Sequence, residues 1–310
     1  MGKGTTTALM SWAMLLLPTP LWAQSPSPQT SPSAKAEPRA QAGPPTDPIV
    51  VTARPLPSRA VVDRWVRDLS VRRSSDEPMS RLSEPLCVAT AGMNAPFGKR
   101  LADRVLSNAE RLKVRLAGDK CRPNVLILFV DDGAAQVDWL IKHRPGIFGD
   151  LPYATIRQLR HDRGPIHAWH ITAIASRDGD KLIQGDNGIP VLRIPSASRI
   201  EAPIQSMIVA AVILIDRPAI VGRTVDQIAD YATMQTLAVV KPQPSALQNE
   251  YASTILSLFG HDAAPGQLTP FDWGYLRGLY SGRATRRTSA QYADMARSVE
   301  SELAAESKAP

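Results

Sequence analysis

The stretch Asn124-Val-Leu-Ile-Leu-Phe-Val130 decides the fold class. It is a continuous apolar run, and such a run reads as a strand buried on both faces. A strand covered on both sides needs helices packed above and below it, which makes the domain α/β (α+β). Asp131 and Asp132 follow the run and are placed to cap a helix over residues 134–143. Upstream, residues 58–69 read as a helix capped by Ser58, with Val61, Val62, Trp65, Val66 and Leu69 on one face. Residues 98–114 read as a second helix, with Leu101, Val105, Ala109 and Leu112 at helical spacing. Downstream, residues 166–176 and 206–215 read as strands, and Arg177-Asp-Gly-Asp180 as a hairpin turn. Three helices follow, over 225–238, 270–280 and 289–305. The last carries Tyr292, Met295, Ala296, Val299 and Leu303 on one face. The expected architecture is a mixed sheet of about 4–5 strands with flanking helices.

The chain has 310 residues, 36 Lys+Arg against 29 Asp+Glu, and 44% hydrophobic residues, which fits a globular core and excludes a wholly disordered or polytopic membrane protein. Residues 1–23 have the form of a secretory signal: Lys3, a short apolar stretch, helix-breaking Pro18 and Pro20, and a cut after Ala23. Residues 24–48 are a Pro/Ser/Ala-rich segment with almost no large apolar side chain, expected to be a disordered linker. A single α/β domain is then expected over 49–288, with a C-terminal helix and frayed tail over 289–310. The expected location is the periplasm or the exterior, with no transmembrane segment once the signal is removed.

Cys87 and Cys121 are the only two cysteines, and in an exported chain they are expected to form a disulfide. The charge left after signal removal is modest, 35 − 29 = +6. It suits anionic lipid or cell-wall polymer, and nucleic acid is not expected as a partner.

Catalytic motifs are missing. There is no Gly-x-Gly-x-x-Gly, no phosphate loop and no Gly-x-Ser-x-Gly elbow, and Asp178, Asp180 and Asp186 lack calcium-loop spacing. The histidines are His143, His161, His167, His170 and His261, and no two stand four apart as a helical zinc site requires. His167 and His170 are three apart on a strand, so they point to opposite faces. His170 is expected to be a hydrogen-bonded, half-buried residue; the sharper alternative is a groove in which Trp169 or His170 touches a ligand.

The segment Gln267-Leu-Thr-Pro-Phe-Asp-Trp-Gly-Tyr-Leu-Arg-Gly-Leu-Tyr-Ser-Gly282 is a well-specified helix. Thr269 stands at the N-cap, Pro270 at the first helical position, Asp272 at the capping-box position, and Gly282 at the stop. Its Leu268, Thr269, Asp272, Leu276, Leu279 and Tyr280 resemble the closing helix of zincin metalloproteases of the matrixin and related metzincin type, with Gly282 one residue late. The resemblance implies an upstream active-site helix, here over 225–238, opened by the capping box Thr224-Val-Asp-Gln227. Residues 254–259 lie between the two helices, and a substrate-lining edge strand comes before. The resemblance spans roughly 98–282. Where that family has His-Glu-x-x-His, this chain has Asp230-Tyr-Ala-Thr-Met234. Both imidazoles and the catalytic glutamate are replaced, so the chain is similar to uncharacterised exported bacterial proteins that keep a degenerate zincin-like core.

No catalytic, cofactor-binding or metal-binding residue is therefore assigned, and no cofactor is implied. The expected function is non-catalytic binding of a peptide, protein or cell-envelope component. The groove is expected to be lined by Trp169, His170, Asp230 and Tyr231, or the ligand held on a slightly basic face near Arg54 to Arg81. One alternative is a hydrolase with an unrecognised site drawn from Asp131, Asp132, His167, His170 and Asp230. Another uses Asp47-Pro-Ile-Val-Val-Thr-Ala-Arg54, which looks like the coupling box of outer-membrane transporters. The chain would then be a partner of energy-coupling machinery through Ile49 to Thr52, although the segment also reads as an ordinary strand.

Overall fold

The computed structural model describes residues 56–71, 77–185, 187–194, 201–241, 253–260 and 264–308. The chain divides into two units, Met1–Val51 and Thr52–Pro310, and all described residues lie in the second. The expected signal over 1–23, the expected linker over 24–48, the box at 47–54, Asp186 and His261 are outside the described residues.

The elements begin with α1 (Arg59–Leu69), β1 (Arg81–Leu82), β2 (Val88–Ala91), α2 (Ala95–Arg111), β3 (Val125–Val130) and α3 (Gly133–His143). A 3-10 turn (Pro145–Phe148) leads to α4 (Tyr153–His161), β4 (Ile166–Ser176), and the small hairpin β5 (Ile183–Gln184) and β6 (Pro190–Val191). Then come β7 (Ile204–Asp216), a 3-10 turn (Arg217–Ile220), α5 (Val225–Leu237), a further 3-10 turn (Ile255–Phe259), α6 (Pro270–Ser281) and α7 (Thr288–Glu306).

β7 is the spine of a five-stranded, mostly parallel sheet. β4 pairs antiparallel along it from Ile204 to Ile215. β1 and β3 share its other edge, both parallel, at Met207–Ile208 and at Ala211–Asp216. β2 lies parallel outside β3. The chain is thus mixed α/β, as its sequence implies. Val125, Ile127 and Phe129 of β3 enter the larger core, with α1, α2, α5, α6 and α7. Leu126, Leu128 and Val130 face the smaller core, with Val137, Leu140, Phe148 and Trp169.

Local chemistry explains most boundaries. The Asp132 carboxylate accepts from Ala135 N at 2.9 Å and starts α3. Thr224–Gln227 and Thr269–Asp272 both form capping boxes. Ser58 is the N-cap of α1 without a side-chain hydrogen bond, a correction to its expected role. α2 starts at Ala95, capped by Asn94, not at Gly98. Gly98 instead lets α2 approach β2: a Cβ there would stand 2.5 Å from Thr90 Oγ1. Tyr292, Met295, Ala296, Val299 and Leu303 of α7 are all buried in the larger core.

The Cys87–Cys121 disulfide is formed, with 6.1 Å between the Cα atoms. It ties together the entries of the neighbouring strands β2 and β3. Asn124 reinforces that junction: its Oδ1 accepts from Cys87 N at 2.9 Å and its Nδ2 donates to Pro85 O at 3.0 Å. Among the described residues, no helix is long and apolar enough to cross a membrane.

Candidate functional site

The helix aligned with a zincin active centre is α5. Its apolar moment is weak because it is buried all round: every residue from Ile228 to Leu237 is shielded from solvent. Asp230 is fully buried, and its carboxylate accepts four hydrogen bonds. Arg104 Nε and Nη2 donate to Oδ1 and Oδ2, each at 2.7 Å. Asn108 Nδ2 donates to Oδ1 at 2.7 Å and Leu268 N to Oδ2 at 2.9 Å. The carboxylate therefore joins α2, α5 and the segment entering α6. The same contact raises the Arg104 guanidinium above its ordinary pKa, chiefly through the hydrogen bond to Asp230. Tyr231 is also buried; its hydroxyl accepts from Gln235 Nε2 at 3.3 Å and its ring meets Phe259 edge-on at 4.8 Å. Burial pushes the Tyr231 phenol up, so it is a poor proton donor or acceptor for chemistry. Met234 is fully buried as well.

β4 carries the other candidates. His170 Nε2 lies 2.5 Å from Gln235 O on α5, so that nitrogen is the protonated one in the neutral ring. Burial lowers the imidazole from its ordinary value to about 4, against the opposing effect of that bond. Trp169 points to the other face of the sheet. Its Nε1 donates to Ile147 O at 3.1 Å and its ring stacks on Phe148 at 5.0 Å. The four expected groove residues therefore do not line one groove. Trp169 belongs to the smaller core, Asp230 and Tyr231 are consumed inside the larger one, and His170 alone borders open surface.

What His170 borders is the second half of β4. Thr172 and Ile174 follow it on the same face and are exposed. Among the described residues, the outer edge of β4 has no β-partner from Ile166 to Ile174; an isolated bridge joins Ala175 to Lys181. The alternation along the strand already places Thr172 and Ile174 on the face of His170; nothing in the sequence singles out Gln235.

The remaining candidates gather at the carboxyl ends of β3 and β7. Asp131 pairs with Arg217 at 2.6 Å, and Asp132 is the α3 cap. His167 is buried against α3, with Nε2 3.3 Å from Asp162 O and Nδ1 without a hydrogen-bond partner among the described residues. A Cβ on Gly133 would meet His167 Nδ1 at 2.4 Å and Asp216 Oδ1 at 2.9 Å, so only glycine fits between them. Asp216 accepts from Gly133 N at 2.7 Å, and burial raises its carboxyl above the usual range. His170 and Asp230 make their bonds elsewhere, so the five residues considered for a hydrolase form separate groups. Among the described residues, no group of three or more His, Cys, Asp and Glu is arranged to hold a metal ion.

Comparison of the chain with protein-family models, curated proteins and solved structures found no match.

Proposed function

We propose that the chain is an exported, non-catalytic binding protein on a degenerate zincin-type framework, and that it holds an extended peptide segment along the free edge of β4. The observation that carries this reading is the bonding of Asp230. The position where a metal ligand would stand is used to join α2, α5 and α6. Three features support the framework. β4 is an antiparallel edge strand, β7 beside it leads into α5, and the Ile255–Phe259 turn and α6 follow in order. The disulfide supports an oxidising compartment. The unpaired edge supports strand addition, in which backbone groups supply affinity and alternate side chains supply selectivity. His170, Thr172 and Ile174 would read those side chains.

A screen of displayed decapeptides against the full chain tests the reading. Retained peptides should bind intact and lose affinity when alternate backbone nitrogens are methylated. Binding that survives methylation in both alternate registers overturns edge pairing. Cleavage of a retained peptide, or stoichiometric zinc in protein purified without chelator, overturns the non-catalytic reading.

A further inference from the structure

A second site lies away from the β4 edge, where the entry of β7, the turn after β4 and the end of α6 meet. A cavity of about 510 Å³ opens there between Arg81, Arg177, Arg283, Asp178 and Glu201. Volumes of this order suit a small organic ligand rather than a bare inorganic ion.

Among the described residues that line the cavity, three arginines face two carboxylates, an excess of one positive charge. Arg283 pairs with Glu201. Arg177 Nε stands 3.7 Å from Asp178 Oδ1. Arg81 is different: its described polar contacts are from Nη1 alone, to Gly282 O at 2.6 Å and Leu279 O at 3.4 Å. Those bonds cap the carboxyl end of α6, a structural role. They leave Nε and Nη2 without a described acceptor. Among the described residues, no carboxylate stands within ion-pair distance of Arg81. Burial lowers its pKa, against an opposing effect of the neighbouring Tyr280. A planar fork with two free donors on a cavity wall matches one carboxylate bidentately.

We propose that this cavity binds a small monocarboxylate, held by the Arg81 guanidinium, with Gln205 and Thr285 offering polar contacts to the rest of the ligand. The net charge selects the class. One unmatched cation suits a monoanion, whereas a phosphate dianion would leave its second charge unmatched. The carboxylate can belong to a free organic acid or to a peptide C-terminus.

Calorimetric titration of the full chain distinguishes these sources and tests the site. The probes, used at pH 8, are gluconate against glucose, and N-acetyl-dialanine against N-acetyl-dialanine amide, with inorganic phosphate as the dianion. The expected result is binding of at least one acid, at least tenfold tighter than its uncharged counterpart and than phosphate. Gluconate alone would assign the site to free acids; N-acetyl-dialanine alone would assign it to peptide termini. Arg81→Gln should weaken binding at least tenfold. Arg283 is largely exposed, so Arg283→Glu tests the same charge balance without disturbing the α6 cap, and should also weaken it at least tenfold. No acid binding above the uncharged controls, or unchanged binding in Arg283→Glu, overturns the proposal. Loss of peptide binding at β4 would leave this result unaffected, because the two sites share no residue.

Discussion

Arg104 grips Asp230 with two parallel hydrogen bonds of 2.7 Å each, although the residues are 126 positions apart in the chain. The guanidinium is partly exposed and the carboxylate is not. Desolvating Asp230 is therefore offset by a bidentate contact plus Asn108 and Leu268 N. Replacing Asp230 by alanine leaves one N–H of the buried Asn108 amide and the Leu268 N–H unpaired, while Asn108 keeps its bond to Thr233 Oγ1, and removes the joint between three elements. The expected loss is about 3–5 kcal/mol in denaturant unfolding. A loss below about 1 kcal/mol would free Asp230 for a role other than this joint.

The strands β3 and β7 were legible because each is a continuous branched-apolar run. The helices α5, α6 and α7 were legible from their caps and stripes. Short pieces were not: β1 has two residues and β2 four, too few for a period to show. α4 escaped because it buries no residue fully. The site was only partly legible. The alternation that separates His167 from His170 separates Trp169 from His170 as well, which rules out a shared groove from the sequence alone. Partners such as Arg104 with Asp230, or Arg81 with Gly282, are set by tertiary packing over long separations that no local pattern records.

Gly278 and Gly274 stand four apart on α6, facing α7. A Cβ on Gly278 would lie 2.3 Å from Met295 Cα, and one on Gly274 would lie 2.4 Å from Val299 Cα. The glycines thus fix how closely two core helices approach, which explains part of the Trp-Gly-Tyr-Leu-Arg-Gly segment by packing rather than chemistry. Gly278→Ala should cost about 1–3 kcal/mol, because backbone cannot yield as a flexible side chain does. Gly266→Ala, with nothing within 4 Å of its Cβ, is the matched control and should change stability little. Equal thermal midpoints for the two variants would refute the close-packing account.

The disulfide closes a loop with a sequence separation of 34 at the entry to two paired strands. Constraint of the unfolded chain gives an expected contribution of about 3–4 kcal/mol. The double variant Cys87→Ala/Cys121→Ala should lose that amount in guanidinium unfolding and keep its far-ultraviolet circular dichroism. Unchanged stability would mean that the Asn124 bonds to Cys87 N and Pro85 O hold the junction unaided.

His170 makes stability depend on pH in a definite direction. Its folded-state pKa is lowered by burial to about 4, while in the unfolded chain it titrates near 6.5. Between those values the unfolded state binds the extra proton, so stability falls as pH falls from 6.5 to 4, by at most about 3 kcal/mol. Asp272 acts in the opposite sense. Burial raises it to about 6, although Thr254, Thr269 and Ile255 N all donate to its carboxylate. Its contribution favours the fold at low pH and is lost as pH rises through 6. The two effects overlap, so the wild-type curve alone cannot separate them. The stability difference between the wild-type chain and His170→Gln can, since glutamine retains a donor for Gln235 O and does not titrate. That difference should be most favourable to the wild type near pH 7 and shift against it by up to about 3 kcal/mol toward pH 4. A difference that stays constant across this range would show that His170 takes its proton in the folded chain as readily as in the unfolded one.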